Sequence, residues 1–345
     1  MNFPPCNRMG LPAGGKALLV VEYRSFRNTD APHLVEIWNE TFTGRGTVHL
    51  RHANLLEVHA LAKPYFDPQG LIVAVEDRVP VGFAHGGFGP NNRESMLSFA
   101  TGVVCAISVR PRFQGRGIGS ELLARCETYL RDRGARTLQA GQLPPLTPYY
   151  FGLYGGSDLP GFLVSNEAAG PFLEVHGYQP GDTCLVLDRR LDQPLNIVDA
   201  RFPNLRRRFE VQILPPLGCV SWWREAVLGP VELLECRLIE KSSDRTVGRA
   251  QVWEMEGFSR TWNVPAIGIV GAEIREDLRR QGLGKFLINS LLRSMQEQYF
   301  GLAEVQTPER NQAAVNLFRS LGFEQVDVGR TYRLEKEVPR ARGNP

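Results

Sequence analysis

Val109-Arg110-Pro111-Arg112-Phe113-Gln114-Gly115-Arg116-Gly117-Ile118-Gly119 aligns without a gap with Ile274-Arg275-Glu276-Asp277-Leu278-Arg279-Arg280-Gln281-Gly282-Leu283-Gly284, 165 residues further along the chain. Each copy follows a short apolar run rich in β-branched residues (102–109 and 267–274) and opens a helical pattern. Glycine lets the backbone turn through positive φ and approach a ligand closely. The amides that such a turn feeds into a helix start form a nest with the positive end of the helix dipole behind it. That is a cradle for a diphosphate, and Arg112, Arg116, Arg280 and Lys285 add positive charge to it. Two copies in register point to a duplicated ligand-binding domain rather than to an incidental tight turn.

The flanking pattern repeats as well. After the first turn Ile118, Leu122, Leu123, Cys126 and Leu130 share one helical face; after the second, Leu283, Leu287, Ile288, Leu291, Leu292 and Met295 do. Both stripes have the spacing of core-packing helices. Upstream in the first half, the sequence predicts a strand at 23–26 and a helix over 30–42 with Asp30 as N-cap. A second helical stretch over 50–62 stops before Pro64. A hairpin (71–76 and 81–88) turns at Asp77-Arg78-Val79-Pro80, and a strand at 137–140 follows the glycine-turn helix. The second half repeats the order with a hairpin (232–240 and 246–254), a strand at 267–274 and another at 303–306. Each half closes on one more match, Asn166 to Gly177-Tyr178 and Asn311 to Gly322-Phe323. The first half carries about 20 extra residues before its Asn, and insertions of this kind go into loops. This segment, 143–161, is rich in Pro, Gly and Tyr.

The 345 residues favour two domains. The boundary is expected near 191–196, with domains at 21–192 and 193–338, a flexible N-terminus at 1–20 and a tail at 339–345. A net charge of +3 is too small to argue for nucleic acid. Six scattered cysteines without a C-x-x-C pair argue against a structural zinc site and fit a reducing, cytoplasmic setting. The apolar stretch at 17–21 is too short for a signal-peptide core, and no run approaches a membrane span. No metal, nucleic acid or membrane is therefore expected. A P-loop G-x-x-x-x-G-K-[ST] is absent from the sequence, which counts against a nucleotide-phosphate protein.

Strand, Q/R-x-x-G-x-G turn, helix, strand, N-x-x-A and a closing Gly-aromatic pair together resemble the GCN5-related N-acetyltransferase (GNAT) superfamily. The residues are Gln114, Gly117, Gly119, Asn166, Ala169, Gly177 and Tyr178, then Arg279, Gly282, Gly284, Asn311, Ala314, Gly322 and Phe323. The resemblance covers most of 23–190 and roughly 205–336, and is weakest at 196–230. It implies an α/β fold with mixed, mostly antiparallel sheets: the tandem acyl-CoA N-acyltransferase fold in two copies, an arrangement similar to that of mycothiol synthase. The donor it implies is acetyl-CoA. Its diphosphate would sit on Gln114, Gly115, Arg116, Gly117, Ile118 and Gly119, and on Arg279, Arg280, Gln281, Gly282, Leu283 and Gly284, with Lys285 and Asn311 nearby. Its pantetheine arm would pair like an added strand with Ile107, Ser108 and Val109, and with Ala272, Glu273 and Ile274.

Acetyl transfer to an amine needs the neutral amine, and an alkylammonium with pKa ~10.4 is almost wholly protonated at neutral pH. A thiol with pKa ~8.5 is already a fair leaving group. The resemblance implies a general-acid Tyr in the last helix, but Leu173 and Phe318 stand there. Tyr149, Tyr150 and Tyr154 in the inserted loop are substitutes, or simply wall the cleft. For the base, Glu304 resembles a strand glutamate used by ribosomal-protein N-terminal acetyltransferases, and Glu273 is its rival; a solvated or paired strand carboxylate is the plain alternative for both. The first-half counterparts, Gln139 and Ser108, are not acids. His85 is either a base or a satisfied strand histidine. These residues favour the second half for turnover, by direct attack in a ternary complex on acetyl-CoA. The acceptor is a small-molecule or peptide amine, and the protein a monomer built as an internal pseudo-dimer, or a homodimer. The competing expectation is a non-catalytic CoA-sensing or partner-binding module.

Overall fold

The computed structural model of the chain describes residues 20–216 and 221–335. The first half runs β1 (Glu22–Ser25), α1 (Ala31–Thr41), α2 (Ala53–Leu56, continued by a wider π turn over Glu57–Leu61), β2 (Leu71–Glu76), β3 (Val79–Pro90), β4 (Leu97–Val109), α3 (Ile118–Asp132), β5 (Thr137–Ala140), β6 (Phe162–Leu163), α4 (Ala169–Val175) and β7 (Gln179–Arg190). The second half runs α5 (Phe202–Arg208), β8 (Phe209–Leu214), α6 (Trp222–Leu228), β9 (Leu233–Glu240), β10 (Arg245–Glu254), α7 (Glu256–Trp262), β11 (Ala266–Ile274), α8 (Leu283–Glu297), β12 (Leu302–Pro308), α9 (Gln312–Ser320) and β13 (Glu324–Glu335). The first hairpin closes more tightly than the four-residue turn expected. Asp77 and Arg78 both take positive φ (50° and 68°), so β3 starts at Val79. Positive φ at both central residues matches the twist of the flanking strands.

All thirteen strands among the described residues join one sheet, ordered β1-β2-β3-β4-β5-β13-β7-β12-β11-β10-β9-β8, with β6 pairing on β13. Pairing is antiparallel except at β4·β5 and β11·β12. The centre of the sheet departs from a simple tandem of two domains. β7, the last strand of the first half, pairs with β12 of the second, with Asp188 opposite Glu304. β13, the last strand of the second half, pairs with β5 of the first, with Tyr332 opposite Ala140. The two exchanged strands also pair with each other. Each half is therefore completed by the other's final strand.

The helical stripes expected from the sequence bury against one face of this sheet. Leu122, Leu123, Cys126 and Leu130 of α3 pack with Ile72, Val104 and Tyr178, and Leu287, Leu291 and Leu292 of α8 pack with Leu238, Val252 and Phe202. The opposite face carries a single core drawn from both halves. Trp38, Tyr150 and Phe151 of the first half meet Trp253, Met255 and Phe258 of the second. The region of weakest resemblance helps tie the halves together: Trp223 of α6 stacks on Tyr65 with ring centroids 5.0 Å apart, and Lys63 Nζ donates to the carbonyls of Ala226 and Val227.

Candidate functional site

In each half the two parallel strands pair for four residues and then part. β4 and β5 pair from Thr101↔Thr137 to Val104↔Ala140, and β11 and β12 from Ala266↔Leu302 to Ile269↔Val305. Beyond those points one edge of 105–109, and of 270–274, carries backbone groups that its parallel neighbour does not reach. A β-bulge marks each divergence. The register slips opposite Cys105 in the first half and opposite Gly271, at φ +73°, in the second. A bulge bends the strand and re-aims its backbone groups, and bulges are common beside functional sites.

The glycine turns lie at the far ends of these free edges and have matching geometry. Gly117 and Gly282 are the left-handed N-caps of α3 and α8, at φ +80° and +85°. Two residues earlier Gly115 and Arg280 are also left-handed, at +72° and +64°. Gln114 Nε2 donates to Val109 O at 2.9 Å, and Arg279 Nε donates to Ile274 O at 3.1 Å. The first motif position thus braces the turn against the end of the strand, which either side chain does. The amides of Gly115–Gly117 and of 280–282 donate to no described residue. Unpaired, outward-facing amides ahead of a helix fit a diphosphate.

The sequence profile of the acetyltransferase (GNAT) family matches this chain twice, over residues 31–148 and 220–323. The chain belongs to the GNAT family. Among curated proteins it is similar to an N-alpha-acetyltransferase of Sulfurisphaera tokodaii, 33% identical over 87 residues, which is 24% of this chain and 52% of that protein. The chain therefore spans about half the length of that relative. Three solved structures share its fold over nearly the whole chain. A tandem GNAT protein from the clavulanic acid biosynthesis pathway superposes with TM-score 0.65 at 16% identity, covering 92% of this chain and 98% of the other. A GNAT of Sphaerobacter thermophilus gives 0.60 at 17%, covering 91% and 95%. A glucosamine N-acetyltransferase region of a fungal multi-domain β-N-acetylglucosaminidase gives 0.69 at 14%, covering 93% of this chain and 39% of that one.

The two GNAT halves differ at both ends of the free strand edge. In the first half the cradle is open: a Cβ built on Gly115 or Gly117 meets nothing within 4 Å. The space beside its bulge is filled by Trp38, Phe42, Tyr150 and Tyr154 against Cys105 and Ala106, leaving about 10 Å³, room for no more than a water. In the second half Gly271, Ala272 and Glu273 are exposed. Its cradle, however, is overlaid by the segment before α5. The Arg201 guanidinium lies 2.8 Å from where a Gly282 Cβ would sit. Asp199 holds Arg201 through two oxygens (2.8 and 2.6 Å) and comes within 3.8 Å of Lys285 Nζ. Those Arg201 hydrogen bonds keep the Asp199 carboxyl well below the usual carboxylate range.

The expected catalytic carboxylates separate. Glu273 is exposed and paired with Arg249 at 2.7 Å. Glu304 needs a correction: it does not stand open to the cleft. It is 0% exposed, accepts from the amide of Ser157 at 2.6 Å and from Arg45 at 3.1 Å, and lies beside Asp188, which also bonds Arg45. The inserted loop has closed over it, and a side chain on Gly156 would collide with its carboxylate. Burial raises the affinity of both Glu304 and Asp188 for a proton, and Arg45 opposes the shift. Asn311 spends its side chain capping α9, accepting from Ala314 N at 3.3 Å. Ser108 bonds Thr41 at 2.6 Å, and Gln139 donates to Gly141 O. His85 is a core histidine. It is fully buried, bonded through Nδ1 to Tyr150 at 2.7 Å and stacked on Tyr149, and burial lowers its pKa to about 3. Tyr154 accepts from Leu163 N, so Tyr150 and Tyr154 are both engaged within the core. Leu173 and Phe318 are buried in their own cores.

Sequence reading missed a polar cluster at the second divergence. The turn Gly155-Gly156-Ser157-Asp158 of the first half's loop presses onto β11: a Cβ on Gly268 would meet Ser157 Cβ at 2.9 Å. Gln306, one residue past the last β11·β12 pair, donates to the carbonyls of Gly155 (2.8 Å) and Asp158 (3.0 Å). Arg224 of α6 bonds Gln251, the cross-strand partner of Val270, and its charge acts on the Asp158 carboxyl. Burial pushes that carboxyl up to about 6. Only the Gly-rich, inserted character of 143–161 pointed there.

Proposed function

We propose that the chain transfers an acetyl group from acetyl-CoA to an amine by direct attack in a ternary complex, and that the second half carries the turnover. The observation that carries the choice of half is the contrast between acceptor faces: Gly271–Glu273 lie open, while the matching first-half face is packed with aromatic rings. In this reading the donor's diphosphate rests on 279–284, and its arm runs along Ala272, Glu273 and Ile274. The amides at the Gly271 bulge receive the oxyanion. Glu273, exposed beside Arg249, meets the positive charge of the incoming ammonium. Glu304 supports the site from beneath by holding the 155–158 turn. A thiolate of ordinary pKa leaves without a Tyr to protonate it. The first-half cradle, open but without acceptor space, binds CoA without turnover. The sequence composition and the scattered cysteines support a cytoplasmic protein.

The test is thiol release from acetyl-CoA with a panel of primary amines, including peptide N-termini. Gly282→Trp should abolish turnover and Gly117→Trp should retain it. The opposite pattern moves the chemistry to the first half. A second reading, a CoA-sensing module, draws on Arg201 over the second cradle and on Leu173 and Phe318 at the expected Tyr positions. It prevails if calorimetry detects CoA binding and no amine releases thiol.

A further inference from the structure

The inserted loop 143–161 has no counterpart in the second half, yet its tip serves the second half's site. Four hydrogen bonds fix it there. Ser157 N and O bind Glu304 and Trp253 Nε1 (2.6 and 3.1 Å), and the carbonyls of Gly155 and Asp158 share the Gln306 amide. Ser157 rests on Gly268, two residues before the splay, so Asp158 follows directly at the point where β11 and β12 part. From the other side α6 contributes Arg224, tied to Gln251 opposite Val270. The Asp158 backbone is thus held beside Gln306, the first residue beyond the pairing on β12, and its carboxyl lies within reach of the charge of Arg224, which is bonded to β10.

We propose that Asp158, supplied across the pseudo-dimer by the first half, is the general base for acetyl transfer in the second half. This rests on the reading that the second half carries turnover. Asp158 takes a proton from the acceptor ammonium. The freed amine nitrogen bonds to the thioester carbonyl carbon, and the carbon–sulfur bond breaks. The remaining ammonium-type N–H proton goes to the departing sulfur, giving amide and thiol, and Asp158 returns its proton to solvent. Its neighbours suit the role. Arg224 of α6 lowers the proton affinity that burial raises. Cys184 on β7 stays a neutral thiol, pushed to about 12 by burial. Glu304 on β12 lies behind Ser157. A carboxyl titrating near 6 is ionised at neutral pH and still basic enough to accept a proton.

Asp158→Asn keeps the side chain's shape and the acceptor for Leu159 N. It should lower kcat by about 10²–10³-fold while leaving KM for acetyl-CoA within about twofold. The acid limb of the wild-type kcat profile, with its midpoint near 6, should vanish. Thermal unfolding gives a readout independent of turnover. Because the folded carboxyl holds its proton more tightly than the ordinary 3.8, its ionisation costs stability as pH rises from 3.8 to about 6. Asp158→Asn should therefore raise Tm above pH 6 and not below 3.8. Activity lost in Gly282→Trp but kept, acid limb included, in Asp158→Asn overturns this inference alone. Activity that survives Gly282→Trp overturns the choice of half and takes Asp158 with it. If CoA binds and no amine of the panel reacts, the turnover reading falls and Asp158 with it; where an amine reacts, a crystal structure with CoA adds a geometric check. The thiol sulfur should lie within one bridging water of Asp158, and a sulfur further away overturns the assignment.

Discussion

Arg45 is one guanidinium facing two buried carboxylates. It bonds Asp188 and Glu304, its plane lies 4.2 Å over Trp262, and its carbonyl accepts from Trp262 Nε1. Burial raises the proton affinity of both acids, and the arginine opposes that shift. Arg45→Met leaves their charge unmatched and should destabilise the protein by about 3–5 kcal/mol at neutral pH. The sign follows from the raised folded pKa values. The unfolded carboxyls ionise from about pH 4 upward while the folded ones resist, so the deficit is smallest near pH 4 and grows toward pH 8. Urea titrations of Arg45→Met and wild type across that range check it. Residue-level reading from sequence reached Glu304 as a strand acid on the right strand. It missed the lid over it, because nothing in β12 reports what a loop some 150 positions away lays on top. Asp158 was invisible for the related reason that its loop has no second copy to compare with.

The glycine turn was the most legible element. Its function is set by backbone angles, which glycine announces, and Gln114 and Arg279 perform one bracing task that spacing alone identifies. The helices and strands flanking it were legible because their apolar periodicity is strong in both copies. The segment before α5 was not, since its effect lies in where it folds back. There Asp199 places a carboxylate beside Lys285 and ties down Arg201 above Gly282. An anion held at the mouth of an anion site competes with the diphosphate. Asp199→Ala should release both cations and tighten acetyl-CoA binding at the second cradle by roughly fivefold. Calorimetry on the Gly117→Trp background isolates that site. Weaker binding would mean that Asp199 orients Arg201 for the ligand instead.

At the scale of the molecule the duplication is legible and the exchange is not. β7 and β13 are twelve-residue strands at equivalent places in the repeat, and neither carries a signal that says which neighbour it joins. The halves read as two domains cut near 191–196, a segment that indeed holds no helix or strand, yet no cut there separates two closed sheets. Expressed apart, 20–192 and 193–345 should each expose unpaired strand edges and aggregate. Co-expressed, they should associate into a stable pair with native Tm, measured by co-purification and melting. Independent, soluble, monomeric halves would contradict the exchange.

That arrangement also imposes a timetable on biosynthesis. β5 gains its second neighbour, beyond β4, only when 324–335 has left the ribosome, so some two hundred residues of nascent polypeptide wait with an open seam between 140 and 332. A cell making this protein must shield that seam throughout elongation. Mutations that slow translation or weaken chaperone capture should therefore lower its yield more than their effect on the finished molecule would suggest.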